Sequence, residues 1–296
     1  MSHSAFIGIT RKHLGHLIAE LAAPWQARRQ AELREHRGAE RRRVEGAGRK
    51  PELVFTDQVL ITLVVLRLQL PHAAMAHLYG VDRSTITRAI RRVRPLLAGR
   101  GYATPQGQRL RTLADVFAYA QAQGVRLRVD GSEIQVRRPK ANRPGRRAFV
   151  SGKKKMNTIK FTKICDERGR TLWDGAVRPG RMHDQTALRT EGIDDLLGQF
   201  PDVAGEFDSG YRGLGNDHPE QVNVPPKKPA KDAAPEVVEA YEQARHAQSS
   251  IRICVEHAIA DSKNWRPLQR WIGRRADLEE TIVAIGSLVS DRAAAR

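Results

Sequence analysis

Cysteine is almost absent from this chain of 296 residues: Cys165 and Cys254 stand alone and far apart, and no CxxC pair occurs. That scarcity argues against a zinc site or a disulfide framework and fits a reducing cytoplasm. Long apolar runs are lacking as well. The longest, residues 59–66, falls far short of the ~20 residues that a membrane helix needs, and nothing reads as a signal peptide. The expectation is a cytoplasmic protein, nucleoid-associated when bound, with no membrane partner. Acids are outnumbered: 51 Lys and Arg against 33 Asp and Glu leave a net charge of +18, with a pI near 10.6. Such an excess favours a polyanionic partner. The length allows one sizeable domain and a smaller one.

What is present begins with an amphipathic helix over residues 6–25, with Leu14, Leu17, Ile18 and Leu21 on one side. Residues 26–50 are nearly devoid of apolar side chains and mix arginines with glutamates, which reads as a solvated helix or a flexible arm. Thr56 is expected to cap a buried helix from Asp57 that Pro71 stops. Two helices follow, one over 72–79 and one from 83, with Gly80 as the turn and Asp82 as the second cap. Ile86, Ala89, Ile90 and Val93 recur at helical spacing, which leaves Arg83, Ser84, Thr87, Arg88 and Arg91 facing outward. These residue types reach phosphates and base edges in a major groove. Two short helices joined by glycine also occur in bundles that never touch DNA.

The second half carries acids beside predicted strands. Asp130 stands in VDGSEI, where the apolar parity switches from odd to even positions, so a bulge or strand break is expected there. An Asp-Gly turn is the plainer reading of the same residues. Asp208 follows the strand 203–207 in EFDSGYRG. A third acid, Glu256, lies on a helix within residues 249–265, one turn after Arg252 and two turns before Lys263, which is either a salt-bridged face or a carboxylate held between cations. Three carboxylates from separate elements are what a two-metal phosphoryl-transfer site requires. Residues 137–155 contain Arg137, Arg138, Lys140, Arg143, Arg146, Arg147, Lys153, Lys154 and Lys155 and no acid. The run is a solvated loop or, if it borders the acids, a phosphate-holding one. His183-Asp184 lacks the further spaced histidines of a phosphohydrolase dyad; Asp184, followed by Gln185 and Thr186, suits a helix N-cap or a residue that orients a metal ligand.

The order VDGSEI, SGKKKMNTIK, PGRMHDQTALR, FDSGYRG and RxxxExxxxxxK resembles the bacterial insertion-sequence transposases of the DDE superfamily, in their Harbinger-like group, over most of the chain from about residue 48. The resemblance implies a ribonuclease-H-like core, Asp208 as the family's second acid, and one site that cuts the element's ends and joins them to target DNA. In the resembling group a Tyr often stands three residues before the helix Arg; here that place is Ser249. The resulting expectation is an α/β chain: an N-terminal helix and basic arm (1–50), a helix-turn-helix domain (51–100), a connector and helix (101–124), and a mixed sheet flanked by helices (125–296). Asp130 would bridge two Mg²⁺ or Mn²⁺ ions, with Asp208 and Glu256 holding one each. His183, Asp184, Tyr211, Arg252 and Lys263 would assist, and Arg83, Ser84, Thr87, Arg88, Arg91 and Lys153 to Lys155 would contact double-stranded DNA, with the protein assembled as a homo-oligomer on it.

Overall fold

The computed structural model describes residues 1–39, 50–140 and 145–295; part of the predicted basic arm and Arg143 lie outside them. Helices α1 (Ser4–Ile7) and α2 (Arg11–Arg37) replace the single predicted helix. Gly8 breaks it at φ 74°, and Thr10 restarts it by accepting the His13 N–H. A Cβ on Gly8 would stand 2.8 Å from the Trp265 indole, so the break lets α1 sit on the core. Beyond Trp25, α2 runs on as a solvated helix to Arg37.

Helix α3 (Phe55–Leu68) begins earlier than predicted. The Asp57 carboxylate accepts the Val54 N–H at 3.3 Å, so Asp57 rather than Thr56 closes this terminus. Helices α4 (His72–Tyr79) and α5 (Arg83–Gly99) form the expected helix-turn-helix. Gly80 adopts φ 63° between them, and Asp82 Oδ1 accepts the Ser84 N–H at 2.7 Å.

A small ladder of β1 (Tyr102–Ala103) and β2 (Arg109–Leu110) then leads to α6 (Leu113–Gln123), which opens on a Thr112–Asp115 capping box. The core sheet contains β3 (Leu127–Val136), β4 (Thr158–Cys165), β5 (Thr171–Asp174), β6 (Arg178–Pro179), β7 (Gly205–Glu206), β8 (Val222–Asn223) and β9 (Arg270–Trp271). Its main path is β5-β4-β3-β7-β8. The first three strands pair antiparallel, while β7 and β8 run parallel to β3, which is the ribonuclease-H-like arrangement expected from the resemblance. Arg178 and Pro179 pair with Lys160 and Ile159, and the chain leaves the sheet at Gly180.

No bulge occurs at Asp130: β3 pairs with β4 in unbroken register from Arg128 to Gln135. The parity switch has another cause. Leu127 and Val129 pack with α6 and helices α7 (Asp184–Thr190) and α8 (Ile193–Gln199), whereas Ile134 and Val136, on the opposite face, join the core of α1 to α5 and α11 (Leu278–Ala294). The strand changes which face it buries, and Asp130 and Gly131 lie at the crossover.

After α9 (Arg212–Asp217), the helix expected within residues 249–265 is the second half of a longer one, α10 (Pro235–Lys263). No glycine or interior proline interrupts it, and Ser250 is absorbed by donating to the His246 carbonyl. It packs from Gln248 onward, with the Gln248 amide donating to the Phe207 and Asn223 carbonyls and Val255 and Ala258 against Cys165 of β4.

Candidate active site and nucleic-acid interface

Three acids come together where β3, β7 and α7 meet. Asp130 Oδ1 accepts the Gly131 N–H at 2.7 Å, and its Oδ2 accepts from Arg252 Nη2 of α10 at 3.2 Å. Burial pushes its carboxyl up to about 6; Arg252 opposes this, while Asp208 and Asp184 add to it. Asp208 follows β7 and caps the turn Ser209–Tyr211 by accepting the Gly210 N–H at 2.6 Å. Asp184 opens α7, yet its carboxylate does not cap the helix: His183 holds the N-cap position and is exposed, while Asp184 Oδ1 takes the Lys160 ammonium at 2.7 Å. The capping role expected for Asp184 is thus corrected, because a half-buried carboxylate gains more from a strand lysine than from backbone amides.

Two glycines allow this crowding. A Cβ on Gly131 would stand 2.9 Å from Asp184 Oδ1, and one on Gly210 would stand 2.8 Å from Asp208 Oδ1 and 4.0 Å from Asp184 Oδ2. Beneath them Tyr211 is buried, its phenol pushed well above its usual range by burial and then by Asp184, Asp130 and Asp208. It therefore stays a hydrogen-bond donor at neutral pH.

Glu256 lies on α10 one turn after Arg252 and is exposed, without a hydrogen bond or ion pair to the described residues. The cations do not clasp it. Arg252 is turned to Asp130, and Lys263 is half-buried near Asp130, Glu133 and Lys154, with burial pulling its ammonium down. Glu133 accepts from Ser151 Oγ at 3.2 Å, and the Ser151 hydroxyl takes the Lys154 N–H at 3.1 Å, so the cationic run borders the acids. Among the described residues no three His, Cys, Asp or Glu side chains stand close enough to form a ready ligand set. The donors nonetheless fit a divalent cation: they are hard carboxylate oxygens, and the repulsion of Asp130 by Asp208 and Asp184, which adds to the larger effect of burial, is one that such an ion relieves.

Lys160, Glu133 and Glu191 escaped sequence reasoning. Lys160 and Lys163 had a signal, since both interrupt an otherwise apolar strand, TIKFTKIC, and a buried strand lysine needs an acid. Glu191 had none. It ends α7 by accepting from the Thr162 hydroxyl at 3.1 Å, and burial pushes its carboxyl up to about 7.

On the helix-turn-helix, Ile86, Ala89, Ile90 and Val93 are buried, and Arg83, Ser84, Arg88 and Arg91 are exposed. Thr87 is half-buried, bonded to His72 Nδ1 at 2.9 Å.

Compared with known proteins, residues 129–289, more than half of the chain, match the family described as DDE superfamily endonuclease. The chain belongs to that family. Residues 51–103 match the helix-turn-helix of DDE superfamily endonuclease, the segment formed by α3 to β1. The chain is also 24% identical over 250 residues to a probable transposase for insertion sequence element IS702 of Microchaete diplosiphon, spanning 81% of this chain and 83% of the relative. The Mos1 mariner paired end complex with Mn is similar at 14% identity over 88% of this chain and 87% of that one, with a TM-score of 0.20, a likeness too low to carry an argument. The resemblance read from sequence therefore holds for a DDE endonuclease with an N-terminal helix-turn-helix, and divalent-cation use goes with it. The Harbinger-like grouping is not addressed by these matches. No helix of the described residues is long and apolar enough to cross a membrane.

Proposed function

We propose that this DDE endonuclease is the transposase of an insertion sequence. In this reading the segment 51–100 binds the element's ends through Arg83, Ser84, Thr87, Arg88 and Arg91, after the N-terminal arm (1–50) and ahead of a connector (101–124). Residues 125–296 cut the ends and join them to target duplex, acting as a homo-oligomer on DNA. Asp130, Asp208 and Glu256 hold two Mg²⁺ or Mn²⁺ ions, and Asp184, Arg252, Lys263, Tyr211 and His183 assist. The convergence of Asp130, Asp208 and Asp184 around two glycines carries the reading.

Bound at these acids, divalent cations would polarise the phosphodiester and lower the pKa of an attacking water or 3′-hydroxyl. The chain's own residues do the rest. Lys160 fixes the Asp184 carboxylate. Arg252 offsets the half-buried Asp130 charge and stands where its guanidinium could pair with a phosphate oxygen. Lys263 and Lys153 to Lys155 draw the backbone toward the acids. Tyr211, kept protonated, can donate to an acid or a bridging oxygen.

Duplexes carrying the element's ends, incubated with Mg²⁺, test this. Asp130→Asn and Asp208→Asn should each lower cutting on the order of 10³-fold or more while melting and end binding persist, and the double variant should be hardly worse than either single. Cutting that survives either change would remove that acid from the site. Cut ends that are never joined to a second duplex would leave a nuclease in place of a transposase.

A further inference from the structure

At the far end of β3 the surface opens into two concavities, of about 680 and 620 Å³, that share Arg138. Their walls come from the 145–157 segment on one side and from the turn after β9 on the other. Arg137, Arg138, Lys140, Arg147, Lys155 and Arg275 line them, all exposed, and no acid does. Among the described residues none of these six is ion-paired. Elsewhere the same side chain is treated differently: Arg94 meets Asp277 and Glu280, and Arg100 meets Glu20 and Asp291. A cluster of uncompensated cations repels itself and stays together only at the cost of that repulsion, which a polyanion removes.

Charge alone would suit any nucleic acid. The apolar atoms narrow the choice. Val150 and Met156, 37% and 41% exposed, line the first concavity between its cations. Phe149 lies beside them with the Arg275 guanidinium 4.0 Å from its ring centroid. A paired duplex offers phosphates to such a surface but keeps its base faces stacked inside, whereas an unpaired strand offers both phosphates and base faces. The groove also leads to the acids. Val150 bridges to Asn157, Ser151 bonds Glu133, and Arg181, three residues before Asp184, donates its N–H to the Ala148 carbonyl at 2.9 Å.

We propose that the two concavities joined at Arg138 form a second nucleic-acid groove, separate from the helix-turn-helix, that holds an unpaired DNA strand leading into the acid cluster. The proposal rests on the reading of the chain as a DNA-cutting enzyme but can be tested without cutting. Full-length protein in EDTA is titrated with two fluorescent probes, an oligothymidine of about 20 nucleotides and a random duplex of the same length, at several salt concentrations. The triple variant Arg138→Gln, Arg147→Gln, Arg275→Gln should bind oligothymidine at least about tenfold more weakly and with a salt slope shallower by roughly 2, since about three phosphates are no longer neutralised, at ~0.7 each. Its affinity for duplex should stay within about twofold. The variant Arg88→Ala, Arg91→Ala should do the reverse. Because all the altered side chains are exposed, melting curves should match the wild type. As a second measurement, photocrosslinking of 4-thiothymidine within the single strand should mark Val150 or Met156. An equal loss of both probes in the triple variant, an unchanged oligothymidine affinity, or crosslinks confined to α5 would overturn the groove. None of these results bears on whether the acids cut, so failure of the groove and failure of the catalytic reading remain separate.

Discussion

Helices α5 and α10 both show a charged stripe in sequence, and the structure treats the two stripes differently. On α5 the apolar residues Ile86, Ala89, Ile90 and Val93 form a complete face, so burial alone decides that Arg88 and Arg91 point to solvent. On α10 the burial is sparse, Gln248, Val255, Ala258 and Ser262, and the stripe of Arg252, Glu256 and Lys263 lies along the edge of the packed face. Spacing puts the three side chains in one row but does not say what each meets. Arg252 finds Asp130, 122 residues earlier, and Lys263 finds the surroundings of Glu133, while Glu256 stays in solvent. An apolar pattern reports its own partner, namely the core; a charge pattern reports only that a partner is needed.

The strongest break of this comparison is Glu256→Gln. If α10 contributes a metal ligand, cutting should fall on the order of 10³-fold or more with end binding intact; Asp184→Asn should then cost about 10–100-fold, as for a residue that orients a ligand. The opposite order, full cutting by Glu256→Gln and none by Asp184→Asn, would move the third acid from α10 to α7. For α5 the effect is smaller. Arg88→Ala with Arg91→Ala should weaken binding to the element's ends by about 1–3 kcal/mol for each base that is no longer read, more than to random duplex. Equal weakening on both, read by anisotropy titration, would show that these side chains touch phosphates only.

The elements themselves were legible because local chemistry specifies them. Asp82 and Gly80 act within a few residues of themselves, and each does in the structure what its type suggests. The odd-to-even switch in β3 was also visible, but its cause was not. It arises from two cores on opposite faces of one strand, a long-range fact that looks like a bulge from inside the strand. Asp130 and Asp208 could be picked out as acids beside strands. Their approach to Asp184 depends on Gly131 and Gly210 and on Lys160, which belong to three different elements. The continuity of α10 through Ser249 and Ser250 was not read from the sequence; there Ser250 bonds its own preceding turn.

The pairing of Arg252 with Asp130 can be sharpened by pH. The Asp130 carboxyl sits at about 6, above the ordinary Asp value, so it is protonated below that pH and charged above it. In metal-free protein, Arg252→Gln should lower the melting temperature clearly at pH 8, where it leaves a half-buried carboxylate beside Asp208 and Asp184. At pH 5 the neutral acid has little need of the guanidinium, and the loss should shrink. Adding Mg²⁺ at pH 8 should restore more stability to the variant than to the wild type. A loss that is the same at both pH values would mean that Arg252 acts through packing alone.

The smallest effect belongs to Glu191, the acid that no pattern announced. Helix α7 is fastened to β4 at both ends, Asp184 to Lys160 and Glu191 to Thr162. Glu191 is half-buried, its carboxyl is pushed up to about 7 chiefly by desolvation, and Oε2 has no hydrogen-bond partner among the described residues. A folded-state pKa above the unfolded value of an acid means that the folded protein binds the extra proton, so this group's contribution to stability falls as pH rises from about 4.5 to about 7. Above that window the ionised form costs on the order of 3 kcal/mol. Glu191→Gln keeps a carbonyl oxygen for the Thr162 hydroxyl and cannot ionise. It should therefore raise the melting temperature at pH 8 and leave it nearly unchanged at pH 4. Cutting should persist in this variant, because the helix end that carries Asp184 is still fastened at both points. A variant that melts lower at pH 8 would show that the Glu191 charge is needed, and Arg178, which pulls the carboxyl down, would be its counter-ion.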